Sequence, residues 1–166
     1  MRTLIKRSAD QFDTIEAMKK YALIGSKDIF FKKFIQDYNL KPDLNSIKKI
    51  CKYIFDNVYF EPDPPNKQKI RYGTRAFKDG YGNCVDYSVL LSQFLLNLKI
   101  PHSFMMVCTD KKNPENYNHI FVVIDKNNLP LDLVIGQDQV NKSLNNRHMI
   151  LFKSVPFYNS AKLKVY

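Results

Sequence analysis

Hydrophobic residues in the first third of the chain recur three or four positions apart, the spacing that gathers them on one face of a helix. Phe12, Ile15, Met18 and Ala22 set out a first helix, and Ser8 with Gln11 has the spacing of a capping box at its start. A second helix carries Phe30, Phe31, Phe34, Ile35 and Tyr38 on one face, with Ser26 as its expected cap and Lys41-Pro42 as its end. Leu44, Ile47, Cys51, Ile54, Phe55 and Val58 trace the apolar stripe of a third, with Lys48, Lys49 and Lys52 off it. Pro62, Pro64 and Pro65 then break regular structure between Glu61 and Asn66, because proline lacks the amide donor and restrains its predecessor.

A helix from Cys84 to about Leu98 is hydrophobic nearly all round and is therefore expected at the centre of the fold. Its start is marked by Asn83 as N-cap and Asp86 at the third helical position. Beyond Pro101 the pattern changes to β-branched, aromatic and aliphatic runs, which predict strands over 103–108, 119–124 and 129–135, with 125–128 as a turn and a further strand at 149–152. The pattern as a whole predicts an α+β fold. In it a central helix packs on an antiparallel sheet, with extra helices at the N-terminal end. One domain over 1–166 is expected, divided into a helical region 1–60, a core 70–135 and a C-terminal extension 136–166.

Composition narrows the setting. The chain has 166 residues, 45% of them hydrophobic and 25% charged, which suits an ordinary folded protein with a real core. No apolar run reaches the roughly 20 residues of a membrane span, and no apolar stretch follows Met1 to Arg7 as a secretory signal requires. Three cysteines outside any C-x-x-C spacing fit reduced thiols, so a cytoplasmic location is expected. The net charge of +10 permits an acidic macromolecular partner, and Lys19, Lys20, Lys27, Lys32, Lys33, Lys41, Lys48, Lys49 and Lys52 crowd the helical third. No helix-turn-helix, RNA-recognition or zinc-finger pattern accompanies them, so sequence-specific nucleic-acid binding is not expected.

The chemistry centres on Cys84. A thiol is a useful nucleophile only as thiolate, and the first position of a helix supplies both a positive field and exposed amides. Asp86 adds an opposing field, so a proton-accepting partner is required. His119 stands on a predicted strand and Asp132 on the next strand of the same hairpin. A two-residue loop would set the two directly opposite. A four-residue loop would set them diagonally on the same face, and in both cases the β-carbons lie within about 5 to 8 Å. An odd loop without a bulge would separate them. Cys51 and Cys108 read as core thiols, and His102 and His148 lack a comparable acid-bearing strand. A zinc site from Cys84, Cys108, His102 and His119 matches no usual ligand spacing, so neither a metal nor another cofactor is expected.

Taken together, Gly82-Asn-Cys-Val-Asp86, the aliphatic helix, Leu98-Lys-Ile-Pro101, Asn118-His-Ile-Phe-Val122 and Pro130-Leu-Asp132 resemble the transglutaminase-like superfamily over roughly 75–135. The resemblance implies a papain-like arrangement, with Cys84 as nucleophile, His119 as general base and acid, and Asp132 as the residue that orients it. It also implies a protein or peptide substrate and amide chemistry through a thioester, whether hydrolysis or transfer. The family's frequent tryptophan has no counterpart here, which leaves Tyr72 and Tyr81 as side-chain oxyanion candidates behind the backbone amide of Cys84. The chain also resembles small bacterial and phage-encoded relatives. The competing reading is therefore a catalytically silent fold that binds through its basic surface, virion-associated if phage-encoded.

Overall fold

Helix α5 (Cys84–Asn97) runs through the interior because its sequence offers an apolar or small side chain to every neighbour: Val89, Leu90, Leu91, Phe94 and Leu95 are all buried. The computed structural model describes residues 3–6, 11–64, 67–134 and 158–165. The first three helices are α1 (Gln11–Gly25), α2 (Ile29–Asp37) and α3 (Leu44–Asn57). α2 holds α5 through aromatic rings, with Phe31 edge-on to Phe94 at 4.9 Å between centroids and Phe34 at 5.2 Å. Such pairs add to the area they bury because the ring edge is positive and the face negative.

The opposite side of α5 meets an antiparallel sheet of strands β5 (His102–Cys108), β6 (His119–Ile124), β7 (Leu129–Leu131) and β8 (Asn159–Lys164), in the order β7-β6-β5-β8. Phe104, Met106, Ile120, Val122 and Leu131 carry the core from the sheet to the helix. Two small pairs complete the framework. Strand β1 (Thr3–Lys6) runs antiparallel to β3 (Gln68–Arg71), and β2 (Tyr59–Phe60) runs parallel to β4 (Tyr81–Gly82), with a short helix α4 (Arg75–Asp79) between β3 and β4. The fold is thus α+β, with a central helix on an antiparallel sheet and added N-terminal helices, as the pattern predicts.

Several boundaries move for local reasons. The cap of α2 is Asp28, whose carboxylate accepts from the Phe30 amide, while Ser26 Oγ donates back to the Leu23 carbonyl and helps close α1. α2 ends at Asp37, short of Lys41-Pro42. The Ser8 capping box and the 149–152 strand lie outside the described residues. The strand found near the C-terminal end is β8, whose Lys162 and Lys164 sit along the outer edge of the sheet, where charge discourages pairing with another chain. β7 stops at Leu131, before Asp132.

Helix α1 is fixed against α5 by a close approach that only glycine allows. A β-carbon on Gly25 would run into Gln93 Nε2 and would lie 2.6 Å from the backbone nitrogen of Gly73. Around it, Gln93 Nε2 donates to the Tyr21 carbonyl at 3.2 Å and Asn97 Nδ2 to the Ser26 carbonyl at 2.8 Å. Gly25→Ala is accordingly expected to lose about 1–3 kcal/mol of stability through overpacking. Urea denaturation measures this, and a loss below about 0.5 kcal/mol would contradict the packing described, since surface substitutions fall in that range.

Candidate active site

Cys84 sits at the first position of α5, where the backbone is held by a dense set of hydrogen bonds. Asn83 Oδ1 accepts from the amides of Val85 and Asp86, and Asp86 Oδ2 accepts from the Asn83 amide, which closes a capping box. The cap leaves the Cys84 amide outside it. Gly82 is required by proximity, since a β-carbon there would stand 2.8 Å from Asp86 Cβ. Asn83 Nδ2 in turn donates to Asp63 Oδ2 at 2.8 Å, and the same oxygen accepts from the Lys69 amide at 2.6 Å. The proline-broken segment is therefore tied to the mouth of α5 through Asp63.

Asp86 is almost wholly buried, and its partner is a residue the sequence reading did not single out. Arg71 donates from its amide at 2.8 Å and from Nη1 at 2.6 Å, while its Nε reaches Asp79 at 2.9 Å and its guanidinium lies over the Tyr81 ring at 4.6 Å. Burial pushes the Asp86 carboxyl up, opposed by the Arg71 and Asn83 donors. Those same carboxylates hold Arg71 protonated against its own burial. The negative field expected of Asp86 at Cys84 is thus offset by the guanidinium beside it. Arg71 and Asp86 lie 15 residues apart on different elements, and no local pattern in the sequence links them.

His119 opens β6, one residue after Asn118, whose side chain accepts from the Thr109 amide and pins the base of the β5–β6 loop. The β6–β7 turn spans 125–128, with Asn128 in the left-handed region at φ 51°, which asparagine tolerates. Val122 pairs with Leu131 and Ile124 with Leu129. Extended by one residue, that register puts Asp132 opposite Phe121 and diagonal to His119, the four-residue case of the sequence arithmetic. His119 Nε2 lies 2.7 Å from Asp132 Oδ2. A buried carboxylate accepts, so Nε2 carries the proton, and Nδ1 is the nitrogen left for Cys84.

The electrostatics follow from these contacts. Burial alone would push the His119 imidazole down, but the bond to Asp132, the interaction with Cys84 and the charge of both carry it up to about 10 from 6.5. Since the folded value stands above the unfolded one, His119 contributes stability in full below pH 6.5 and loses it as pH rises through about 10. The other thiols lie elsewhere. Burial pushes Cys51 up to about 12, and Cys108 Sγ contacts the carbonyls of Asp110 and Asn113. His102 is buried between Ser92 Oγ at 2.6 Å and the Ile100 carbonyl, and burial lowers its pKa. His148 falls outside the described residues.

A cleft of about 180 Å³ opens over Cys84 and His119, with Gln68 from β3 and Gln11 from α1 among its walls. Neither oxyanion candidate borders it: Tyr72 stacks on Tyr21 at 5.4 Å, and Tyr81 packs under Arg71. Among the described residues no group of three or more His, Cys, Asp or Glu could hold a metal ion, and no helix is long and apolar enough to cross a membrane.

Replacing Arg71 leaves Asp86 buried and uncompensated, a change that typically costs about 3–5 kcal/mol. Arg71→Met is expected to lose stability on that scale in urea denaturation. A loss under about 1 kcal/mol, the value of an exposed pair, would show that the guanidinium does not hold the mouth of α5.

Comparison with known proteins places the fold. The sequence profile of the transglutaminase-like superfamily matches residues 32–128, a span that holds Cys84 and His119 and stops short of Asp132. A solved structure described as a candidate cysteine protease from Cytophaga hutchinsonii is similar at 16% identity and a TM-score of 0.49, over 95% of this chain and 56% of that one. The chain thus spans little more than half the length of that neighbour. No curated protein gives a significant match. With more than half its length matched by the profile, including the helix that Cys84 opens and the strand that His119 opens, the chain belongs to the transglutaminase-like superfamily.

Proposed function

We propose that the protein is a cysteine enzyme that cleaves or transfers an amide-linked acyl group through a thioester on Cys84. The observation that carries this reading is the 2.7 Å bond from His119 Nε2 to Asp132, which commits one ring nitrogen and leaves Nδ1 for the sulfur at the start of α5. In the first step the Cys84 thiolate attacks the substrate carbonyl. The C–N bond then breaks as His119 gives its proton to the departing amine. In the second step water or an amine gives its proton to His119, attacks the thioester carbonyl and releases the thiolate. Hydrolysis and transfer differ only in that acceptor. The Cys84 amide, left outside the cap, is the oxyanion donor of choice. Asp132 keeps the imidazole in the required tautomer and stabilises the imidazolium.

A second reading rests on charge. Lys20, Lys27, Lys32, Lys41, Lys48 and Lys49 are all exposed on or beside the first three helices, within a net charge of +10. They suit an acidic macromolecule, and a fold that served only to present them would need no reactive sulfur. It is in this reading that an assembly role in a phage or mobile element belongs.

Limited alkylation with iodoacetamide and peptide mass mapping separates the two. Cys84 is expected to react faster than Cys51 and Cys108, and His119→Ala to slow it by about tenfold or more by removing the proton acceptor. Indifference of Cys84 to His119→Ala would favour the binding protein.

A further inference from the structure

Helix α1 lies outside the matched span of 32–128, yet its first turns supply Gln11, Thr14 and Ile15 to the cleft that holds Cys84 and His119. Two contacts carry that wall across to the β5–β6 loop. Gln11 Nε2 donates to Asn116 Oδ1 at 3.1 Å, and the Phe12 ring meets Tyr117 edge-on at 6.5 Å between centroids. The contact spans 105 residues of sequence and brings the start of α1 to the rim of the site. The helix behind it is not free to swing, because Ile15, Met18 and Ala22 are fully buried and Gly25 is pressed against Gln93.

We propose that the start of α1 is a specificity-determining wall of the acyl cleft, with Gln11 and its partner Asn116 setting the width of the group that reaches Cys84. The inference rests on the cysteine-enzyme reading and adds to it a limit on the width of the group that reaches the sulfur. No lysine, arginine or carboxylate is among the described residues lining the cleft, which leaves the charges of Cys84 and His119 alone to meet a substrate group.

The test compares alkylation of Cys84 by iodoacetamide and by the much bulkier iodoacetamidofluorescein, followed by peptide mapping on the full chain. The readout is the ratio of bulky to small reagent rates. It is expected to rise about tenfold in Gln11→Ala/Phe12→Ala, which opens the rim, and to fall below the wild-type value in Gln11→Trp, which narrows it. Labelling of Cys51 reports unfolding, and if the double variant unfolds the Gln11→Trp result decides alone. A ratio that stays within about twofold of wild type in the folded variants overturns the wall while leaving the cysteine-enzyme reading intact. Failure of iodoacetamide to prefer Cys84 over Cys51 and Cys108 in the wild type overturns both.

Discussion

A buried carboxylate at the mouth of α5 governs how the site is built. Asp86 is out of water, and such a charge persists only where donors surround it. Arg71 and Asn83 supply them, and Asp79 balances the second face of the guanidinium. With Arg75 also on Asp79, two cations and two carboxylates form a local set of near-zero charge. The consequence reaches Cys84. A carboxylate two residues along the helix would oppose a thiolate, and the pairing with Arg71 sets a positive charge against that opposition. The same contacts fix the tight Gly82-Asn83 turn, so the placement and electrostatics of Cys84 come from one cluster.

The histidine is governed by a different constraint, the pleat of the sheet. Side chains alternate between faces, so a hairpin with an even loop brings His119 and Asp132 to the same side and an odd loop without a bulge parts them. This much was legible in the sequence, because the apolar run ending at Ile124 and the one beginning at Leu129 leave a four-residue turn with Asn128 suited to a left-handed conformation. The start of α5 was legible too, since capping chemistry is local and Asn83, Cys84 and Asp86 are neighbours. The three helices before the loop could be read from their apolar stripes for the same reason.

What escaped the sequence is long-range or weakly patterned. Arg71 pairs with Asp86 across two elements, and β3 is too short to announce itself by alternation. Strand β8 reads Asn-Ser-Ala-Lys-Leu-Lys, with only Ala161 and Leu163 as alternating apolar positions, so edge pairing to β5 decides it where propensity does not. The cap of α2 went to Asp28 instead of Ser26 because both are good acceptors and the turn that follows Gly25 selects between them. The contact of Gln11 with Asn116 joins parts of the chain that carry no common signal. A helix outside the matched span can thus border a cleft inside it without leaving a motif.

The account comes down to the state of one imidazole, which nuclear magnetic resonance of the His119 ring reads directly over a pH titration. Held by buried Asp132 and by Cys84, the ring is predicted to stay protonated through neutral pH and to titrate near 10, and to move back toward 6.5 in Asp132→Asn. A wild-type ring that titrates near 6.5 and ignores loss of the carboxylate would contradict the convergence of sulfur, imidazole and carboxylate on which the proposed chemistry rests.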